Sequence, residues 1–330
     1  FTSVDGKFNL LCVGLSLIAF GAGGIKPCVS AFMGDQFKSD QGHLLQKAYG
    51  AFYWSINFGS FFSFIAIPRI REAFGYGWAF GVPGILMGIA TVIFWLGRKH
   101  YVRVPPTRES KRAGFFAVTW YALTHGSERK SGQKFWDVAR NKFTNEEVDA
   151  AKSVGPILSI FALIPAFWAL FDQSNSTWVL QGNKMVFIPL TGFWKSALGW
   201  FFGDQITAEN MQSANPAIVM LLVPLLTLGV YPRLKTWTTP LRRMGCGMFI
   251  AAFSYVIVGW LQQRIEAGEQ LSVAWQVLPY VFLTTGEVLI SATGLEFAFT
   301  QAAPEMKSTI MSFWLLTVAV GNALVSIITS

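Results

Sequence analysis

Charge is what this chain has least of. Only 13% of its 330 residues are Asp, Glu, Lys or Arg, about half the share carried by a soluble domain. A water-facing globular surface cannot be built from that supply. Histidine and cysteine are equally sparse, at three each. His43, His100 and His125 lie between apolar runs, and Cys12, Cys28 and Cys246 lie inside them. An odd number of cysteines in apolar surroundings excludes a disulfide framework, and no His/Cys spacing fits a metal centre. There is no glycine-rich phosphate loop and no nucleophile–base pair, so nothing speaks for an enzyme. The net charge of +8 does not indicate nucleic acid, because the basic residues fall between apolar segments rather than along one face. The chain opens on Phe1 with no secretory leader before its first apolar run, so it is expected to be part of something longer.

What is present is apolar: 52% hydrophobic and 15% aromatic residues, with a mean hydropathy of +0.43. That composition predicts an all-α polytopic membrane protein. Runs of bilayer-crossing length are expected at 8–32, 49–67, 78–97, 154–181, 211–231, 244–262, 271–299 and 308–329, eight spans in all. The apolar stretch Phe187–Phe202 is interrupted by Pro189, Gly192, Lys195 and Gly199, which suggests an interfacial loop. Lys and Arg concentrate in alternate connections: Lys38 and Lys47, a dense cluster from Arg98 to Lys152, then Arg233, Lys235, Arg242, Arg243 and Lys307. The positive-inside rule makes that set cytoplasmic and puts both chain ends outside the cell membrane. The chain therefore divides into 1–97 with three spans, a basic cytoplasmic linker at 98–153, and 154–330 with five. Within the linker, Phe115–Leu123 is too short to cross and is expected on the membrane surface. Thr144, followed by Glu146 and Glu147, has the acidic first turn of a helix start.

Several polar groups lie inside the spans. Glu287 sits mid-span, where an ionisable side chain costs at least ~2.5–3.5 kcal/mol and marks a functional candidate. Thr284, Glu287, Ser291 and Gly294 recur at helical spacing, giving one polar, small-residue stripe. Read alone, the acid fits either a strut between helices or a ligand site. Lys26 follows the small-residue run Gly21-Ala22-Gly23-Gly24, which permits close helix approach. It is placed to snorkel to the interface or to face a cavity. Asn57 is a polar spot in the second span, and Asp172 stands near the outer end of the fourth. Asn215-Pro216 opens the fifth span and Pro224 interrupts it, both positions for a kink or unwinding. One buried cation in the first group of helices and two acids in the second would suit a zwitterion.

Four ordered stretches are specific. GGIKPCVSAFMGDQF (Gly23–Phe37), FYWSINFGS (Phe52–Ser60), FWALFDQSNSTW (Phe167–Trp178) and GEVLISATGLEF (Gly286–Phe297) resemble the proton-dependent oligopeptide transporter family. That resemblance implies the major facilitator superfamily fold of two six-helix bundles. The eight spans would be helices four to eleven, with one to three before residue 1 and twelve after Ser330. It further implies symport of di- and tripeptides by alternating access, driven by a proton gradient and requiring no cofactor. The expected partners are peptide, protons and lipid bilayer, with no nucleic acid, in a protein expected to be monomeric. By the same resemblance, Lys26 binds the peptide carboxylate and takes part in proton coupling, and Glu287 takes the amino terminus. Asn57, Asn215 and Ser291 line the pocket with Trp168 and Trp314. Asp172 matches an acid, Glu in many relatives, that is tied to a gate salt bridge and to protonation, and Glu287 shares in the proton coupling. Thr300 stands where some relatives carry an inner-gate lysine. Nitrate or another small anion is the alternative cargo, and a non-transporting sensor a further alternative.

Overall fold

The structure, a computed structural model, describes residues 4–37, 39–103, 113–234, 239–303 and 306–329. It is nearly all helical. In chain order come α1 (Val4–Asp35), α2 (Gly42–Phe74), α3 (Tyr76–Leu96), α4 (Phe115–Thr124), α5 (Asn145–Phe161), α6 (Ile164–Asp172) and α7 (Thr177–Gly182). The two-residue strand β1 (Ile188–Pro189) precedes α8 (Gly192–Phe202) and pairs antiparallel with β2 (Gln205–Ile206). Then follow α9 (Ala214–Pro224), a π-helical stretch Leu225–Val230, α10 (Tyr231–Leu234), α11 (Pro240–Glu266), α12 (Val277–Gln301) and α13 (Lys307–Thr329).

Among the described residues, seven helical segments are long and apolar enough to cross a membrane. The bent pair Asn145–Phe161 and Ile164–Gly182, with 43° between its halves, makes an eighth if it is counted as one span. The protein is thus the multi-pass helical membrane protein that composition predicted. The expected span at 154–181 is the broken one. Pro165 has no N–H to offer the carbonyl one turn back and its ring collides there, so the helix parts at Ala162 and Leu163. The stretch read as an interfacial loop is instead α8. Gly192 marks its start, with φ +52°, and Gly203 lies just past its finish with φ +78°, conformations open to a residue without Cβ, while Gly199 is carried inside the helix.

Packing divides the chain into two units: Phe1–Gly42 with Val104–Leu163 and Phe297–Thr317, and His43–Arg103 with Ile164–Glu296 and Val318–Ser330. In the first, Val118, Ala122, Val148, Ala151 and Val154 are buried between α4 and α5. Trp136 lays its ring over Gly155, where a Cβ would stand 2.8 Å away, and donates to Thr119 Oγ1 at 3.1 Å. The expected helix start is there. The Thr144 side chain accepts from the Glu147 N–H while the Glu147 carboxylate accepts from the Thr144 N–H, a reciprocal capping box. Beside it, the Lys134 N–H, with Lys152 and Arg140, holds the Asp137 carboxyl below the usual carboxylate range. Its contribution is therefore complete above the ordinary aspartate pKa and fades as pH falls through the lowered value. Thr144→Ala should cost about 1 kcal/mol of local stability. Amide exchange over Glu146–Val148 would then rise roughly fivefold, and unchanged exchange would mean that the cap is idle.

The second unit is organised around α12. More than half of its apolar window, 56%, is buried in protein, against 6% for α3. Gly286 on α12 meets Gly247 on α11 at a crossing so close that a Cβ on Gly286 would lie 2.6 Å from the Gly247 carbonyl oxygen. On another side, Val288 packs with Tyr53 of α2 and with Val219 and Val223 of α9. Farther along, Gly321 of α13 lies against α6, where its Cβ would fall 2.5 Å from that of Trp168.

Candidate functional site

The polar stripe of α12 faces protein. Thr284, Glu287 and Ser291 are all buried, with Glu287 only 5% exposed. Two helices supply its partners. Tyr53 on α2 donates its hydroxyl to Glu287 Oε1. Asn215, in the first turn of α9, donates Nδ2 to Glu287 Oε2 at 2.6 Å and lies 3.0 Å from Thr284 Oγ1. Pro216 beside it is tolerated because the first turn of a helix has no N–H bond to lose. Asn57, one turn beyond Tyr53, is buried and donates to the Tyr53 carbonyl at 3.0 Å. Ser291 lies one turn beyond Glu287, its hydroxyl buried and without a partner among the described residues.

Both carboxylate oxygens thus accept from uncharged donors. Among the described residues, no lysine, arginine or histidine forms an ion pair with Glu287. A carboxylate offers about four lone-pair sites, and two of them are engaged. Among the described residues the arrangement orients the group and offers an ionised carboxylate no counter-charge, a costly condition at membrane depth. A proton or an ammonium ion relieves it.

The other expected site residues are distributed as follows. Trp168 and Asp172 lie one turn apart on α6, in the same unit as Glu287, and neither hydrogen-bonds to the Glu287 cluster. The Trp168 indole nitrogen and Asp172 Oδ2 are both buried without a partner among the described residues. Trp314 belongs to the other unit, where it is buried against Phe161 with ring centroids 5.3 Å apart. Lys26, also in that unit, is exposed on α1. Burial had been expected for it. Among the described residues nothing packs against the small-residue run before it: a Cβ on Gly21, Gly23 or Gly24 would meet no atom within 4 Å. Thr300 is exposed near the end of α12.

Two groups escaped the sequence reading. Tyr53 sits inside one of the specific stretches, four residues before Asn57 and so on the same helix face. That i, i+4 pairing was the available signal. Arg243 had been counted only as a topology charge. It is buried, 3.4 Å from Glu296 of α12, with its guanidinium 4.6 Å from the Tyr231 ring. Glu296 stands nine residues beyond Glu287, a spacing that hints at a second buried acid on the same helix but does not name its partner.

The chain is similar to known transporters. The profile of PTR2, the POT family, matches residues 2–330. Peptide transporter 3 of Caenorhabditis elegans is 37% identical over 279 residues, which cover 81% of this chain and 38% of the relative. Solute carrier family 15 member 2 of Rattus norvegicus is 34% identical over 301 residues, 86% of this chain and 40% of the relative. The chain thus spans about two fifths of the length of these curated relatives. Among solved structures, the POT family transporter PepTSo matches with a TM-score of 0.74 and 40% identity, over 98% of this chain and 71% of that one. An auto-inhibited POT family peptide transporter matches with a TM-score of 0.71 and 41% identity, over 95% of this chain and 67% of that one.

Proposed function

The chain belongs to the POT family of membrane transporters, and on that footing we propose that it serves, within a full-length protein, a proton-coupled symporter of di- and tripeptides. The observation that carries this reading is the buried Glu287 carboxylate, oriented by Tyr53 and Asn215 and neutralised by neither. Such a group selects a cation that brings its own donors, as the ammonium terminus of a peptide does. Lys26 is assigned the peptide carboxylate. With the amino terminus held, peptide side chains are left to aromatic residues such as Trp168, and breadth of substrate follows. Asn57 and Ser291 complete the polar lining.

Transport requires that ligand and proton bind two conformations with different affinity. Glu287 serves this as the peptide-ammonium site and, with Lys26, as a first proton-coupling site: protonating a buried acid removes its charge and weakens any salt bridge it makes, which releases a gate. Asp172 serves as the second proton site, and its buried, unpartnered oxygen supports that role. Asp172→Asn should lower proton-driven uptake by roughly 5- to 150-fold, the span of a 1–3 kcal/mol coupling. Peptide exchange without a gradient should stay within about twofold of wild type. Equal loss in both assays would make Asp172 a structural acid.

The test of the whole reading is uptake of a labelled dipeptide by the full-length protein in proteoliposomes under an inward proton gradient. Acid-driven uptake competed by unlabelled di- and tripeptides, and not by nitrate, is the expected result. Nitrate entry without peptide uptake would overturn it, turning Lys26 into an anion site and Glu287 into a strut.

A further inference from the structure

Helix α4 has two apolar faces, and among the described residues only one packs against protein. Phe115, Val118 and Ala122 are buried. Phe116, Trp120 and Leu123, spaced i, i+4 and i+7, are 69%, 70% and 60% exposed. With Ala117 and Thr119 they line an open groove of about 440 Å³. Ten residues cannot cross a bilayer.

What lies next to this face is a membrane-crossing helix. The rings of Phe115 and Phe116 stand 5.4 and 5.9 Å from that of Phe313 on α13, and Leu316, one turn farther along α13, is 51% exposed. Phe313 lies six residues into that span, about 9 Å along its axis. The exposed face of α4 therefore continues the outer surface of a span at the depth where interfacial helices settle, roughly 5–10 Å into the headgroup–acyl boundary.

Charge completes the match. The segment 98–153 carries twelve lysines and arginines against six acids. Arg129, Lys130, Lys134 and Lys142 are exposed in the stretch that follows α4, and the Lys142 ammonium lies 5.3 Å from the Tyr121 ring. Glu146, Glu147 and Asp149 are gathered on α5. There Glu147 is engaged by the Thr144 cap and Asp149 by Arg140.

We propose that α4 is a lipid-docking element: Phe116, Trp120 and Leu123 enter the interface, and the neighbouring lysines and arginines engage anionic headgroups. The surface recognised is a bilayer rich in acidic phospholipid, not a soluble protein and not a second copy of this chain.

The test uses the full-length protein with Cys12, Cys28 and Cys246 replaced. A nitroxide is attached through Trp120→Cys, Leu123→Cys or, as an exposed reference, Ser131→Cys. Collision with oxygen and with a water-soluble nickel complex is read in phosphatidylcholine vesicles and in vesicles containing phosphatidylglycerol. Positions 120 and 123 should be shielded from nickel roughly fivefold better than position 131 and should favour oxygen. Phosphatidylglycerol should deepen that shielding, and half-molar salt should cancel the increment. Neutralising Arg129, Lys130 and Lys134 together as glutamines should abolish the increment while leaving the shielding in phosphatidylcholine intact. Nickel access equal to that of position 131 would overturn the proposal. So would spin–spin broadening, which would assign the face to a second copy. Shielding indifferent to lipid charge and salt would overturn the headgroup assignment.

Discussion

On the proposed reading, Glu287→Gln should lower the dipeptide affinity of the full-length protein by at least ~30-fold while leaving it folded. Glutamine keeps the shape and one acceptor oxygen, so the Tyr53 hydroxyl retains a partner and Asn215 can turn its amide to match. What disappears is the charge. Removing one member of a buried, hydrogen-bonded charge pair typically costs about 2–5 kcal/mol, and each ~1.4 kcal/mol is tenfold in affinity. The measurement is equilibrium binding of a dipeptide and of its N-acetylated form to the full-length protein. The acetylated peptide has no ammonium and should bind wild type and variant about equally weakly. A variant that holds the free peptide as tightly as wild type would show that Glu287 meets no amino terminus.

Gly286→Leu is expected to remove the folded protein altogether or to lower its melting midpoint by about 5 °C or more. Here the obstacle is backbone. A Cβ at Gly286 stands 2.6 Å from the Gly247 carbonyl oxygen and 3.0 Å from the Ala251 Cβ, and one at Gly247 stands 2.8 Å from the Gly286 carbonyl oxygen. No rotamer relieves such a contact, so α11 and α12 must separate. Overpacking of this kind costs about 1–3 kcal/mol or more, and a few degrees of melting accompany each kcal/mol. Separation would also draw Glu287, the next residue, away from Tyr53 and Asn215. Gly245→Leu is the control, since a Cβ at Gly245 meets nothing within 4 Å. Thermal unfolding with size-exclusion profiles separates the outcomes. Equal behaviour of the two variants would mean that the crossing tolerates a side chain.

Much of the fold was legible because hydropathy over twenty residues is a one-dimensional signal. The expected span 271–299 corresponds to Val273–Gln301, and 211–231 to Asn210–Leu234. The break at Ala162–Leu163 was missed because a hydropathy window averages over Pro165. α8 was missed because Gly192, which starts the helix, and Gly199, which the helix carries inside it, both look in sequence like breaks. The site was half legible. Burial of Glu287, Thr284 and Ser291 followed from their period along one helix. The partners did not, because Asn215 is 72 residues away and Tyr53 is 234. Contacts at that separation are chosen by how helices stack, which no local pattern encodes. Arg243 shows the same limit: a cation at a helix end reads as topology until its neighbour helix is known.

The π-helical stretch at Leu225–Val230 has a torsional consequence. A π turn holds one residue beyond an α turn, and each residue advances a helix by about 100°. Everything after Val230 is therefore out of phase with an α-helix extended from α9. The offset begins directly after Pro224, and it decides the azimuth at which Tyr231 emerges, the one that presents its ring to Arg243. The span behaves as a shaft wound off its natural pitch in the middle. If the same six residues rewound as α, the shaft would keep its upper grip on Glu287 through Asn215, while its lower end swung through more than a quarter turn.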